Sequence, residues 1–481
     1  MPPGERGSWE ADALVARAAS GTLVRRAIVG VRNTVRESGR IRRLREAGVG
    51  ERRERDLGGA GRARFSAAGS LACLLACAGF LAGGRASCGE LSVDAIAWGR
   101  GIDVTGPSSW LSGGFGRLTE GAGGPSRSDR VGRGQLHVGL DWQPSEVVFA
   151  HVHGLGRLEG DDDGGARAGI AEAFVQYGPE LSPEVALRFR AGLFFPQTSR
   201  ENVGPLWSSP YTLTFSALNN WIAEEVRLAG LDTTVRLRSD GGSELQFSSA
   251  VFGGADTMGS LLAWRGWSFG DRLSLVGEVL PLPPLRSLAP GGGFALQRDD
   301  GTRPVEELDG RVGWQARVRW VGAGRGLLQA AYTDNGGDRA LHRGQYSWDT
   351  RFGQAGMEVQ IGPVALLGEA VLGDSGMGRR DEAHVDIRFR VAYLLASWGG
   401  EGGRLSARYD WFDNEDRDGR EEPGHETGHA WTLAALWRPW RHLRLGIEYL
   451  AVRAARPAAA YSGASPDTDA RRFTGEARLT F

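Results

Sequence analysis

The chain contains no lysine: all 57 of its basic side chains are arginine, set against 58 acids. The coding bias of a GC-rich genome accounts for that. Cysteine is almost missing, and the three present (Cys73, Cys77 and Cys88) all precede residue 89. Beyond that point no disulfide framework, cysteine-bound zinc or thiol nucleophile can exist. Long hydrophobic runs are scarce too. The one apolar stretch, FSAAGSLACLLACAGFLAGG (65–84), is diluted by Ser, Gly and Ala, whereas a membrane-spanning helix needs about 20 strongly apolar residues. The 74 glycines follow no three-residue period, which excludes a collagen-like chain. What is present is enough to bury a core. The chain has 481 residues, 41% of them hydrophobic, with 16 Trp and 18 Phe, and its mean hydropathy is −0.29. That excludes a disordered tail and leaves room for two or three ordinary domains or one large barrel.

The first 88 residues differ from the rest. Residues 1–61 form an arginine-rich extension without an apolar stripe. Residues 62–88 bring Arg62 and Arg64, then the apolar run, then Ala86, Ser87 and Cys88. A positive region, an apolar region and a small-residue region in that order make a cleaved secretory signal peptide. A lipoprotein reading of Cys88 is weakened by Arg85, which stands where an aliphatic residue is wanted. A start codon assigned too far upstream explains the extension. Residues 1–88 hold 16 arginines and 8 acids, so the remainder carries 57 − 16 = 41 bases, 58 − 8 = 50 acids and a net charge of −9. That balance argues against a nucleic-acid partner, because phosphate binding needs a basic surface.

From residue 89 the pattern has period two, over segments of about ten residues. In Val185 to Leu193 the odd positions are apolar while Arg188 and Arg190 alternate with them. In Val385 to Tyr393, Val385, Ile387, Phe389, Val391 and Tyr393 alternate with Asp386, Arg388 and Arg390. Successive strand residues point to opposite faces, so each segment has one apolar and one charged wall. A soluble sandwich turns the apolar wall inward, whereas a membrane barrel turns it to lipid and keeps charges in a wet lumen. The connections decide between them. Short ones fall near 143–145, 178–183, 239–242, 269–271, 322–324, 362–363, 399–401 and 438–440, and longer polar stretches lie between. Strict alternation of short and long connections is the habit of outer-membrane barrels. Trp142, Tyr177, Trp267, Trp320, Trp398, Trp437 and Trp440 gather beside the short turns, as an aromatic girdle does.

The expected fold is therefore all-β, a transmembrane antiparallel β-barrel over 110–481 with residues 89–109 as a lead-in. Eight hairpins, a first strand at Trp110–Leu118 and a last at Arg472–Phe481 make about 18 strands. The hairpin at 260–281 is the weakest, and without it the count is 16.

RRFTGEARLTF (471–481) puts Phe473, Gly475, Ala477, Leu479 and Phe481 on one face and ends in phenylalanine. It resembles the terminal strand of Gram-negative outer-membrane proteins. The segment RAGLFFPQTSRENVGPLW (190–207) is similar to a motif on an early-middle strand of phosphate-selective-type porins. These resemblances imply an outer-membrane location, recognition of the Phe481 strand by the barrel-assembly machinery, contact with lipopolysaccharide and a homotrimer. The absence of lysine departs from those porins, whose basic ladders use it, and puts phosphate selectivity in doubt.

A barrel this wide holds water and small solutes. Face assignment turns Arg188, Arg190, Arg227, Arg236, Arg238, Arg317, Arg319, Arg388, Arg390, Arg408 and Arg444 inward, with Glu225, Asp232, Asp386, Asp410 and Glu448 interspersed. Aligned cations lower the barrier to a negative solute, while opposed arginines and acids would simply cross-link the lumen. The segment Gln197–Glu224 carries Arg200, Glu201, Asn202, Asn219 and Asn220 among aromatics, and folded inward it would form a constriction. The expectation is a passive porin for small hydrophilic solutes, with no cofactor and no metal. The alternatives are a dedicated single-nutrient channel and an outer-membrane barrel enzyme of lipase or protease type. His425-Glu426-Thr427-Gly428-His429 matches the zinc-protease H-E-x-x-H pattern, but that chemistry needs a helix. Pro423, Gly424 and Gly428 oppose one.

Overall fold

The computed structural model describes residues 89–158, 166–297, 301–324 and 326–481. The extension, the signal peptide and the acids Asp161–Asp163 lie outside the described residues. Sixteen antiparallel strands close into one barrel. In chain order they are β1 (Glu90–Gly106), β2 (Gly124–Ser145), β3 (Val148–Leu158), β4 (Ala168–Tyr177), β5 (Val185–Phe194), β6 (Leu228–Arg238), β7 (Glu244–Gly253) and β8 (Gly313–Val321). There follow β9 (Gly326–Asp334), β10 (Asp349–Ile361), β11 (Val364–Met377), β12 (Val385–Gly400), β13 (Gly403–Asp416), β14 (Glu426–Trp440), β15 (Leu443–Ala455) and β16 (Asp467–Thr480). Each strand pairs with its sequence neighbours, and β16 closes on β1 with Ile96 opposite Thr480 and Thr105 opposite Arg471. Closure leaves no free sheet edge, so strand N–H and C=O groups find partners within the wall, except where inward segments take them, as at β4. The amide of Phe481 reaches Ala95 O at 2.9 Å and fastens the last residue to β1.

The count is thus the 16 expected without the 260–281 hairpin rather than 18: three expected strands are something else, and one lead-in segment is a strand. Residues 90–106, read as a lead-in, are β1. Trp110–Leu118 instead begins with a short 3-10 turn, Trp110–Ser112, inside a connection folded into the barrel. The 269–271 turn does not exist either. Of the described residues between β7 and β8, 254–297 and 301–312, the stretch 254–285 folds into the lumen and carries the short helix α2 (Ser260–Trp264). Its alternating apolar residues pack on one another and on the inner wall rather than on lipid. Gly266 shows how closely: at φ +87, a Cβ there would stand 1.9 Å from the Glu426 carboxylate. The remaining seven short turns stand near where the sequence places them.

The outer surface carries the membrane signature. Leu394, Leu433, Ile447 and Leu328 are exposed on it, although nothing in water would leave such a belt uncovered. Trp142, Tyr177, Trp320, Trp398, Trp437 and Trp440 are exposed near the short-turn rim, the placement of an interfacial girdle. Trp267, assigned to that girdle from the sequence, is instead fully buried inside.

Candidate functional site in the barrel lumen

Strand parity decides which predicted lumen arginines face inward. Arg188 and Arg190 on β5, Arg236 and Arg238 on β6, and Arg317 and Arg319 on β8 share the face of buried Asp232, Ser248 and Gln315. Arg408 on β13 and Arg444 on β15 also point inward, as does Arg227 just ahead of β6. Arg227 donates to Ala171 O at 2.9 Å. Arg388 and Arg390 do not. They lie on the outer face of β12, three and two pleats from exposed Leu394, and this corrects the alternation reading. The cause is that β12 turns its apolar face inward: Ile387, Phe389 and Val391 are buried, with Phe389 5.3 Å from Trp221. Outside, Arg388 pairs with Asp374 at 3.0 Å, and Arg390 with Asp413 at 3.3 Å and Glu415 at 2.9 Å. Asp386 joins them, paired with Arg339 at 2.7 Å.

The connection from β5 to β6, residues 195–227, folds inward and contains helix α1 (Ala217–Glu225). Its backbone amides have left the sheet and need acceptors. Carboxylates on the wall supply them. Glu172 accepts from Phe195 N at 2.9 Å, Glu369 from Arg200 N at 2.9 Å, and Glu448 from Leu213 N at 2.6 Å and Thr214 N at 3.2 Å. Asp410 accepts from Ala217 N at 3.1 Å, where the helix N-terminus favours negative charge. The inward acids therefore hold the loop.

Glu201 is the knot of that loop. Wholly buried, it accepts from Ser216 N at 2.9 Å, Asn219 Nδ2 at 3.2 Å and Thr212 Oγ1 at 3.2 Å, and it pairs with Arg408. Arg408, equally buried, also pairs with Asp410 at 2.8 Å. Asn219 further donates to Glu369 at 3.0 Å, Asn220 to Ser268 Oγ at 2.8 Å, and the Asn202 amide to Ser199 Oγ at 2.9 Å. So Glu201, Asn219 and Asn220 fasten the loop, and Arg408 is a structural cation rather than a free pore charge.

The wall from β5 to β8 is different. Arg188, Arg190 and Arg200 all act electrostatically on Arg317, and Asp232 is the acid among them. Arg188 lies 3.4 Å from Asp232 and Arg190 3.9 Å. Arg317 Nη1 and Arg319 Nη2 donate to the same carbonyl, Gln197 O, at 2.8 and 2.5 Å. Arg190 stacks over Phe194, 4.0 Å from its ring centre. Yet Arg190 Nε and Nη2, Arg200 Nε and Arg317 Nε are buried with no hydrogen-bond partner among the described residues. Towards the short-turn rim, Arg236 and Arg238 are half-exposed and each lies 3.5 Å from Glu244.

The loop motifs resolve as architecture. Glu426 points inward, pairs with Arg117 at 2.8 Å and accepts from Trp267 N at 3.0 Å. His429 lies on the outer face of β14 beside Tyr409. Glu426 and His429 thus lie on opposite faces of β14. Asp256, Glu307 and Asp309 bring carboxylate oxygens within 4.8 Å of one another. They accept backbone amides of Leu308, Gly254 and Asp338 at 2.5, 2.7 and 2.8 Å, which accounts for their grouping. Nothing in the sequence marks 254–285 as a lumen segment beyond the weakness of its hairpin.

No protein-family model matches the chain, and no curated protein matches it. Several solved structures are similar. The outer membrane channel DcaP of Acinetobacter baumannii aligns at 9% identity and a TM-score of 0.47 over 82% of this chain and 97% of that one. OmpF of Salmonella typhi, in complex with daunomycin, aligns at 11% identity and 0.47 over 82% and 98%. An anion-selective porin from Comamonas acidovorans aligns at 12% identity and 0.45 over 82% and 100%. The closed register of sixteen strands, rather than any of these likenesses, establishes the fold as an antiparallel β-barrel with an apolar exterior and a charged lumen.

Proposed function

We propose that the chain is an outer-membrane channel for diffusion of small hydrophilic solutes, with anions favoured. The observation that carries this is the arginine group on the β5–β8 wall. Arg188, Arg190, Arg200, Arg317 and Arg319 crowd this wall, with Asp232, Glu172 and Glu244 the acids acting on them, and several of their buried nitrogens lack a hydrogen-bond partner among the described residues. An unpaired buried cation is costly, and a passing anion offsets that cost while cations are repelled. The half-exposed Arg236 and Arg238 continue the line towards the short-turn rim, but Glu244 and Glu180 pair with them there. Lumen arginines paired elsewhere, Arg408 and Arg444 among them, take no part. Arg444 is held by Glu476 at 2.7 Å.

The partners follow from the outer face. Phe473 and Phe481 project outward, as the assembly machinery would read them. The ion pairs of Arg388 and Arg390 lie beyond the apolar belt at the long-loop ends, where phosphorylated headgroups of lipopolysaccharide would meet them. A homotrimer is the assembly proposed for it.

The test is single-channel conductance in a planar bilayer, with reversal potential across a KCl gradient. Stepwise currents with a reversal on the chloride side are expected. Arg190→Ser with Arg317→Ser should move the reversal at least halfway to zero. A channel of unaltered preference in that double variant would remove the arginines from the account.

A further inference from the structure

Three inward segments meet in the long-loop half of the lumen, and what they meet is apolar. Phe352, Phe389 and Phe412 face into the barrel from β10, β12 and β13 and are 2% exposed or less. A water-filled pore would not be lined this way. Trp267 and Phe269, from the β7–β8 connection, cover them: Trp267 lies 6.3 Å from Phe389, and Phe269 5.9 Å from Phe412. The segment then crosses to the opposite wall, where Val276 N reaches Ile170 O on β4 at 3.0 Å. Its path therefore spans the lumen from β14 to β4.

We propose that the β7–β8 connection, through its described residues 254–297 and 301–312, is a resident plug that holds the channel shut, and that conduction requires its withdrawal from the lumen. This rests on the channel reading above and assigns its regulation. Two features make the plug removable rather than a permanent core. Both of its ends enter neighbouring strands, β7 and β8, so it can leave as one loop without parting the wall. Its fastenings are charged as well as apolar: Asp271 to Arg100 at 2.7 Å, Glu278 to Arg157 at 3.1 Å, and the Trp267 amide to Glu426. Buried ion pairs come near to breaking even, because each charge regains its hydration when the pair parts. The apolar contacts set the resting state. Uncovering aromatic wall to water is unfavourable, so the shut form dominates and openings are rare.

The test is a lock. A Cβ placed on Gly169 of β4 would stand 3.2 Å from the Leu275 Cβ of the plug, close to the separation a disulfide needs. The chain from residue 89 on contains no other cysteine to confuse it. Gly169→Cys with Leu275→Cys, oxidised, is compared with its reduced form in single-channel recordings of the protein purified from membranes. Openings are expected to be abolished when oxidised and restored by reductant. Trp267→Ala, which loosens the plug without locking it, should raise open probability at least tenfold. An oxidised lock that conducts like the unaltered protein overturns the plug, as does an unaltered protein that stands open continuously. If nothing conducts, Trp267→Ala included, while heat-modifiable gel mobility shows a folded barrel, the channel reading falls and the plug's gating role with it.

Discussion

Arg408 shows what a charge inside this barrel is for. It lies between Glu201 and Asp410, all three wholly buried, and it ties loop to wall. Arg408→Met would leave two buried carboxylates without their cation, a loss of about 3–5 kcal/mol. The temperature at which the barrel loses its heat-modifiable gel mobility should fall accordingly, and adding Glu201→Gln should restore part of it. Arg190, by contrast, has buried nitrogens without partners, so Arg190→Ser should alter ion preference with little effect on that temperature. Glu225 adds a pH dependence. It accepts from Trp221 Nε1 at 2.7 Å and, across the lumen, from Gly259 N at 3.1 Å, Ser260 Oγ at 2.9 Å and Leu261 N at 2.8 Å. Burial pushes its carboxyl up to about 7 despite those donors and the nearby Arg265. Burial likewise raises Glu224, beside Arg265, and lifts Asp256 to about 6, with Glu307 and Asp309 adding to that rise. A form that holds its protons more tightly than water-exposed carboxylates do is favoured as pH falls. The plugged form should therefore gain between pH 8 and pH 5, and open probability should drop over that range. Glu225→Gln should flatten the response, and an open probability rising towards pH 5 would contradict the assignment.

Strand β12 carries the element-scale lesson. Its alternation is plain in the sequence, yet alternation has no sign: it says that two faces differ and leaves open which one meets lipid. The usual rule for a barrel sends the apolar face outward. Here Ile387, Phe389 and Val391 turn inward because a plug waits there, and Arg388 and Arg390 turn outward at a height where the wall has left the hydrocarbon. On β5 the rule holds, with Phe189 outward and Arg190 inward, since the lumen beside it is polar. The difference can be checked by labelling. Arg388→Cys should react with an impermeant maleimide added to whole cells, whereas Ile387→Cys should stay unreactive. Lower on the same strand, Leu394→Arg faces the belt and should cost about 2–4 kcal/mol near the bilayer midplane. Equal reactivity at 387 and 388 would mean an open lumen at that level.

At the scale of the molecule, sixteen strands make a wall that encloses a second body built from its own connections. Barrels of this size are wide enough for an aqueous channel, and this one combines an arginine wall on one side with an apolar plug across the long-loop half. Every wall strand but the first, the terminal Phe481 and the inward loop at Gln197–Glu224 were legible in the sequence, although three further strands were expected that the wall does not contain. A strand's pairing partners are its neighbours, so period two and turn chemistry are enough to locate them. The site was legible only in part. Arg188, Arg190, Arg317 and Arg319 come from parity alone, while the separation of paired from unpaired arginines depends on which acids reach them from distant strands. The β7–β8 connection was out of reach for the same reason. Its tryptophans and leucines, taken by themselves, suit lipid, a strand or a core equally well. Local pattern thus determined the closed wall, because each hairpin specifies itself. What fills that wall was decided by packing between residues as far apart as Trp267 and Glu426, a long-range contact that local pattern does not encode.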